Sequence, residues 1–520
     1  MKTTQDNVGS WTRRWAEVAP DRLAVVDGER RLTYAAFEAR VARAAGWLHA
    51  QGVTRGDRVA LLLGNRSATL ELVLAAARIG ALSVPLNTRL SPRELAFQFD
   101  DCRPSVLAAE ATLRDRVEAA CAAATHAPPR WIALGDEPDD RFERETAAAA
   151  PSEPVAVSPD DAMMLLYTSG TTGEPKGALL PHRKTLHNAL NAQLYFGIRS
   201  GEERVLVAAP LFHSLGLKIL SLPILYAGAT LVLHRRFDPE AFWTDVSAER
   251  ITYSGGVPTQ YRRLLDALES GLGPVAHREA LRFLFTAGAA VAPETVRAYG
   301  RHGIVLKQGF GQTETSILCC LQEGDALERA GSVGRPVFHA ELRLVEPASC
   351  AGPPETWRDV PAGQIGEIVV RGPITMLGYW ERPAATAETL RGEWLRTGDL
   401  ASRDADGFVT LTGRARDLYI SGGENVYPAE VEQVLEEHPA IREVAVVGLP
   451  DPEWGEAGCA YVTLEQGAAL DIEGLREWAG DRLARFKLPR SLVRTGPLPR
   501  TASGKVRKHA LRPAIEPEAR

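Results

Sequence analysis

The chain has 520 residues, more than one hydrophobic core usually organises, so two or more domains are expected. Hydrophobic residues make up 45% and charged residues 24%, an ordinary globular balance, and a net charge of -6 excludes recruitment of nucleic acid or anionic membrane by bulk electrostatics. The six cysteines (Cys102, Cys121, Cys319, Cys320, Cys350 and Cys459) form no Cys-x-x-Cys pair and keep no metal-ligand spacing with histidine, so they read as reduced thiols.

The N-terminus, MKTTQDNVGSWTRRW, has no apolar stretch of the kind a secretory signal needs. Short runs rich in Val, Ile and Leu at 58–63, 205–208, 230–233, 281–285 and 304–306 read as strands. Amphipathic stretches such as 40–50 and 260–268 read as helices between them, and the alternation predicts parallel sheets covered by helices. Residues 122–161, rich in alanine, proline and acidic side chains, are expected to form a peripheral connection outside the core. The most apolar segment, 219–228, is about half the roughly 20 residues a spanning helix needs. A cytoplasmic protein without membrane insertion is expected. After Gly363 short alternating runs at 365–370 and 408–411 are joined by turn signals, and Asp404-Ala405-Asp406-Gly407 suits a hairpin. Beyond Arg416 a helix opens near Pro428 with Val431, Val434 and Leu435 on one face, strands follow at 444–447 and 460–464, and a helix covers 472–485. No solenoid repeat is present.

The sharpest local signal is LLYTSGTTGEPKGALL at 165–180. An apolar strand runs into Thr168, Ser169, Gly170, Thr171, Thr172 and Gly173, and Lys176 follows. Glycines let backbone approach an anion, hydroxyls and N–H groups donate to phosphate oxygens, and the lysine adds charge. This is not the loop of P-loop NTPases, because Gly177 and not Ser or Thr follows Lys176.

The segment resembles the signature loop of the adenylate-forming superfamily, which includes acyl-CoA synthetases, adenylation domains of peptide synthetases and luciferases. The resemblance runs from LTYAAFEARV at Leu32 to LPRTASGKVRK at Leu498, with PLFHSLG at Pro210, TAGAAV at Thr286, GFGQTET at Gly309, RTGDL at Arg396, GRARDLYISGGENVYPAEVE at Gly413 and SGK at Ser503 between or within them. It implies an α/β fold: a large N-terminal domain of doubly wound mixed sheets with a small β-barrel-like subdomain (1–415), then a small mobile α/β domain (416–520). It also implies the chemistry, in which a carboxylic acid is joined to the α-phosphate of ATP and the acyl group then passes to coenzyme A.

By that resemblance ATP lies among the 168–173 loop, Lys176, Gly288, Ala289 and Ala290, with Gly309, Phe310, Gly311, Gln312 and Thr313 beside them. Phe310 offers a face to adenine, Thr313 holds the α-phosphate, Glu314 with Thr168 holds Mg2+, and Asp399 with Arg414 takes the ribose end. Lys505 is the catalytic cation bridging carboxylate and phosphate. The acyl pocket draws on His213, Leu215, the Val257–Pro258 segment, Gly288 and Gln312; these are mostly apolar or small and favour a medium- or long-chain fatty acid or an aryl acid such as a cinnamate. Ser421, Gly422 and Gly423 line the pantetheine channel, and Arg416 stands at the hinge, where the family more often has Asp or Lys.

Each residue alone admits a plainer role: core packing for Phe310, a solvated acid for Glu314, a turn for Asp399 and for 421–423, a structural His213, and for Lys505 a basic tail with Arg500, Arg507 and Lys508. Lys218 reads as a helix-surface lysine, with the second reading that it counters a dicarboxylate such as malonate. The resemblance leaves open a homodimer, a stand-alone adenylation enzyme that loads a carrier protein, and a non-catalytic nucleotide-binding relative. The last would be expected to have lost Lys505 or Glu314, and both are present.

Overall fold

The computed structural model describes residues 3–135, 141–168, 175–272, 278–289, 291–422, 424–501 and 505–511. Two large mixed sheets dominate the N-terminal part. In the nine-stranded sheet six parallel strands stand side by side: Leu306–Gln312, Phe283–Thr286, Tyr253–Gly256, Arg204–Val207, Thr230–Leu233 and Leu23–Asp27. Antiparallel neighbours close both ends, Arg30–Thr33 at one and Ser316–Cys320 then Arg335–Pro336 at the other. The seven-stranded sheet runs Gly378–Tyr379, Lys176–Pro181, Ala162–Thr168, Leu82–Pro85, Arg58–Leu62, Val106–Glu110, Trp131–Leu134. Parallel strands buried on both faces read as unbroken apolar runs, which is why Leu61, Leu62, Val84 and Leu107 can be picked out in sequence.

The helix Ser67–Arg78 is buried at every residue and touches strands of both large sheets. Its single carboxylate, Glu71, is neutralised where it sits: Arg40 binds it bidentately at 2.7 and 3.0 Å. Arg40 also reaches Glu143 at 2.9 Å. Glu143 belongs to the helix Arg141–Ala148, inside the stretch expected to be peripheral. That expectation is corrected. The strand Trp131–Leu134 extends the seven-stranded sheet, and Phe142, 1% exposed, meets the Trp47 ring edge-on at 5.6 Å.

A five-stranded antiparallel sheet built on Glu341–Val345, Gly366–Arg371 and Trp394–Arg403 forms the small β-subdomain. Its strand Val409–Arg414 returns through the 404–407 hairpin, where Gly407 adopts φ +86° and Asp404 Oδ1 accepts the Phe408 N–H at 2.9 Å. The small C-terminal domain has its own sheet, with Ile441–Asp451 and Gly455–Leu464 as its long antiparallel pair. The helix Pro428–Leu435 packs on it with Val431 and Leu435 fully enclosed. The second helix ends at Gly480 and not at 485: its span is Ile472–Gly480, and a 3-10 turn at Arg485–Lys487 follows. No helix among the described residues is long and apolar enough to cross a membrane.

Candidate active site

The strands Leu306–Gln312 and Ser316–Cys320 form a hairpin whose tip is Thr313, Glu314 and Thr315. Two of its glycines are dictated by packing. A Cβ at Gly309 would stand 2.5 Å from the Phe285 ring, and one at Gly311 would stand 1.9 Å from the Ser316 carbonyl oxygen. Phe310 between them is half-buried against the main core. The tip is anchored from the opposite side: Glu314 Oε1 accepts the Tyr379 hydroxyl at 2.8 Å, and its backbone carbonyl accepts the Met376 N–H at 2.9 Å.

Tyr379 also connects this acid to Lys176. Its ring lies 5.5 Å from the Lys176 ammonium, and its strand pairs with Lys176–Pro181. Thr168 stands opposite Lys176 across the strands that flank the loop and donates through Oγ1 to the Lys176 carbonyl at 3.3 Å. Ser169, Gly170, Thr171, Thr172 and Gly173 lie outside the described residues, as do Ala290 and Gly423.

Asp399 is mid-strand in Trp394–Arg403 and buried, which removes the turn reading. It faces Arg414 across the sheet, with Arg414 Nε 3.0 Å from Oδ1. Gln312 Nε2 donates to Asp399 Oδ2 and, at 2.9 Å, to the Thr397 carbonyl. The Gln312 amide is thus held by the strand that carries Asp399. Burial raises the Asp399 pKa, and the charges of Arg414 and Lys505 oppose that rise.

Lys505 comes from the C-terminal domain and is half-buried, not part of a solvated tail. Two hydrogen bonds tie Lys505 to Thr501: Lys505 N–H donates to Thr501 Oγ1 at 3.1 Å and Thr501 N–H to the Lys505 carbonyl at 2.7 Å. Three residues on, Lys508 Nζ pairs with Glu432 Oε1 at 2.6 Å. Burial lowers the Lys505 pKa, the neighbouring Arg414 and Arg416 lower it further, and Asp399 and Glu314 pull it back. A Cβ at Gly288 would lie 4.0 Å from Lys505 Cε and 3.8 Å from Val257 Cγ1, so Gly288 lies between the lysine and Val257. Gly288 has φ +91° and Ala289 beside it is exposed.

His213 is half-buried, with Nε2 enclosed and without a hydrogen-bond partner. Burial first, then the charges of Lys505 and Arg89, push its pKa down to about 4, so the imidazole is neutral. Leu215 opens a π-helix, Leu215–Ser221, whose Gly216 is forced by the Pro210 carbonyl oxygen 2.4 Å from where a Cβ would be. Within that helix Lys218 is fully buried, which corrects the surface reading. Arg416 lies in the turn between Val409–Arg414 and Tyr419–Ser421, 3.7 Å from the Asp417 carboxylate, and that turn is tied back by the Ala415 N–H to the Gly398 carbonyl at 3.0 Å. Ser421 and Gly422 belong to a hairpin of the C-terminal sheet; Gly422 has φ +60°, and a Cβ there would meet the Trp454 ring at 2.4 Å.

Glu314 keeps Oε2 beyond its bond to Tyr379, and Thr168 adds one hydroxyl. So sparse a donor set suits Mg2+, which is usually held by one or two carboxylates together with substrate phosphates. Three contributors escaped the sequence reading: Tyr379, Thr397 and Arg89. Thr397 stands inside the RTGDL motif and could have been found there. Tyr379 carries no local signal beyond its neighbours Gly378 and Trp380.

The family model described as AMP-binding enzyme matches residues 12–380, and that of the AMP-binding enzyme C-terminal domain matches residues 430–505. The chain belongs to the AMP-binding enzymes. This AMP-binding enzyme is 41% identical over 508 residues to a feruloyl-CoA synthase of an Amycolatopsis species, covering 97% of this chain and 98% of that one. It is 38% identical over 517 residues to an indoleacetate–CoA ligase of Aromatoleum aromaticum, covering 98% of each. Its fold superposes on ATP-bound MatB from Rhodopseudomonas palustris with a TM-score of 0.89 at 31% identity, covering 98% of both chains. Within the family it is an acyl-CoA synthetase, an AMP-forming acid–CoA ligase whose substrates are a carboxylic acid, ATP and CoA.

Proposed function

We propose that the acid is an aryl acid of the hydroxycinnamate or arylacetate type, and that Lys505, Thr313 and Glu314 carry its adenylation. The observation that supports the mechanism best is the approach of Lys505, from the C-terminal domain, to Gly288 of the large domain. The acid class draws support from two long relatives, at 41% and 38% identity, whose names specify feruloyl and indoleacetate substrates. A neutral His213 and the apolar Leu215 and Val257 suit an aromatic ring better than a second charge.

In the first step a carboxylate oxygen attacks the α-phosphorus of ATP, the bond to the bridging oxygen breaks, and pyrophosphate leaves. Charge gathers on the α-phosphate oxygens, and Lys505 is a fixed cation for them. The Thr313 hydroxyl orients the same phosphate. Asp399, with Arg414 beside it, accepts from the ribose hydroxyls. Mg2+, held by Glu314 and Thr168, would supply charge neutralisation to the phosphates. In the second step the CoA sulfur attacks the acyl carbonyl and AMP leaves with the bonding pair. Ser421 and Gly422 would line the approach of the thiol arm after the C-terminal domain turns about a joint near Arg416, at the proposed boundary between 1–415 and 416–520.

The test is pyrophosphate release across ferulate, 4-coumarate, cinnamate, indoleacetate, octanoate, palmitate and malonate, each with and without CoA. Release with the aryl acids, and a thioester only when CoA is present, is expected. A preference for palmitate or malonate would refute the acid class, and acyl-AMP that CoA never consumes would favour a carrier-protein acceptor.

A further inference from the structure

At the base of the catalytic hairpin, Ser316 has φ +61°. This is the left-handed position after a short hairpin tip, and glycine usually fills it because a Cβ is disfavoured there. Strain of this kind persists only where the surroundings over-determine it. Here the surroundings include a lysine. Lys184, on the helix His182–Phe196, is fully buried, and its Nζ donates to Ser316 Oγ at 2.6 Å and to the Ile374 carbonyl at 2.7 Å. One amine thus links both strands of chain that hold the tip. Ser316 follows Glu314 by two residues, and Ile374 precedes by two the Met376 N–H that binds the Glu314 carbonyl. Asn188, one turn further along the helix, reinforces the grip: its Oδ1 accepts the Ile317 N–H at 3.3 Å, and its Nδ2 donates to the Lys218 carbonyl at 2.6 Å.

A buried amine is an expensive way to hold a backbone, and a second one lies beside it. Lys218 is also fully enclosed, and both amines are driven toward the neutral form by burial, Lys184 further by its neighbour. Whether charged or neutral, the Lys184 amine has at least two N–H donors, enough for both of its acceptors. We propose that Lys184 is a positioning residue for adenylation: by clamping Ser316 and Ile374 it fixes the hairpin tip that presents Thr313 and Glu314 to ATP. This rests on the reading of Thr313 and Glu314 given above.

The test uses the full chain, with ATP–pyrophosphate exchange, Mg·ATP affinity by calorimetry and thermal melting as readouts. Ser316→Ala removes the hydroxyl and keeps the strain, whereas Ser316→Gly removes both. Lys184→Met and Ser316→Ala should slow exchange by about 10–100-fold, the usual effect of a reacting group misplaced by about 1 Å. They should also weaken Mg·ATP binding, while thioester formation from synthetic acyl-AMP and CoA stays near wild type. Ser316→Gly alone should exchange close to the wild-type rate, and added to Lys184→Met it should restore most of what was lost. If Lys184→Met does not fold, the Ser316→Ala and Ser316→Gly pair decides alone. Wild-type exchange in Ser316→Ala, equal loss in both half-reactions, or no advantage of glycine over alanine overturns the proposal. Glu314→Gln separates the two levels: wild-type exchange there defeats the reading of Glu314 itself, whereas a slow Glu314→Gln beside a fast Ser316→Ala defeats only the role of Lys184.

Discussion

Lys505 works among charges of both signs, and the balance sets when it can act. Burial and the neighbouring arginines hold its pKa below that of a free lysine. The cation is therefore present below that lowered value and lost as pH rises through it, so adenylation should decline on the alkaline side earlier than a free lysine would dictate. Pyrophosphate exchange against pH shows the limb, and Lys505→Arg should flatten it while lowering the rate, because guanidinium stays charged. His213, held to about 4, should contribute no limb between about pH 6 and 8; His213→Ala should change which acids are accepted and leave the shape of the profile alone. Glu314→Gln should weaken the Mg2+ dependence of exchange, read as a Mg2+ titration, without moving the melting temperature. Asp399, Glu314 and Lys505 could be singled out as candidates in sequence because each sits in a motif whose resembled chemistry demands its type. Lys218 was not, since the polar helix face that a lone lysine suggests is, in the fold, the packing face of a π-helix against Asn188.

Elements whose pattern is strong in sequence were found within a few residues, the hairpin at 404–407 and the helix at Pro428 among them. The stretch 122–161 failed for a physical reason. Its strand is four residues long, and its helix carries one large apolar side chain among charges, so the pattern looks solvated until Arg40 and Trp47 are seen to receive it. Phe142 is then a core residue, and Phe142→Ala should cost about 3–5 kcal/mol of stability. Urea unfolding checks the loss, and exchange kinetics of the surviving folded fraction should be unchanged, since the helix of Phe142 packs on the Tyr34–Ala50 helix and the Trp131–Leu134 strand. The C-terminal helix was overextended because 481–485 keep helical spacing, whereas the chain passes Gly480 into a turn.

At the scale of the molecule, Lys505 and the Ser421–Gly422 turn belong to one small domain; Lys505 lies beside Gly288 of the large domain, whereas Ser421 pairs with Glu424 and Gly455 within the C-terminal sheet. The two steps should therefore separate by mutation. Lys505→Ala should slow exchange by roughly 10²–10³, the usual loss for one preorganised donor to a developing oxyanion. Thioester formation from synthetic acyl-AMP should keep most of its rate, and equal losses in both half-reactions would defeat the two-face reading.

The thiols offer a different use of the same architecture. Cys102, Cys320 and Cys350 are buried near the seven-stranded, nine-stranded and five-stranded sheets, and Cys459 lies in the C-terminal sheet. Burial pushes Cys102 and Cys350 up to about 12 and Cys320 to about 11, and raises Cys459 as well. Alkylating reagents attack the thiolate, so each sulfur stays silent until its own layer opens. Mass-resolved labelling at these four thiols would then act as a set of built-in clocks, recording which layer breathes first and whether bound ATP stops one clock while the others run.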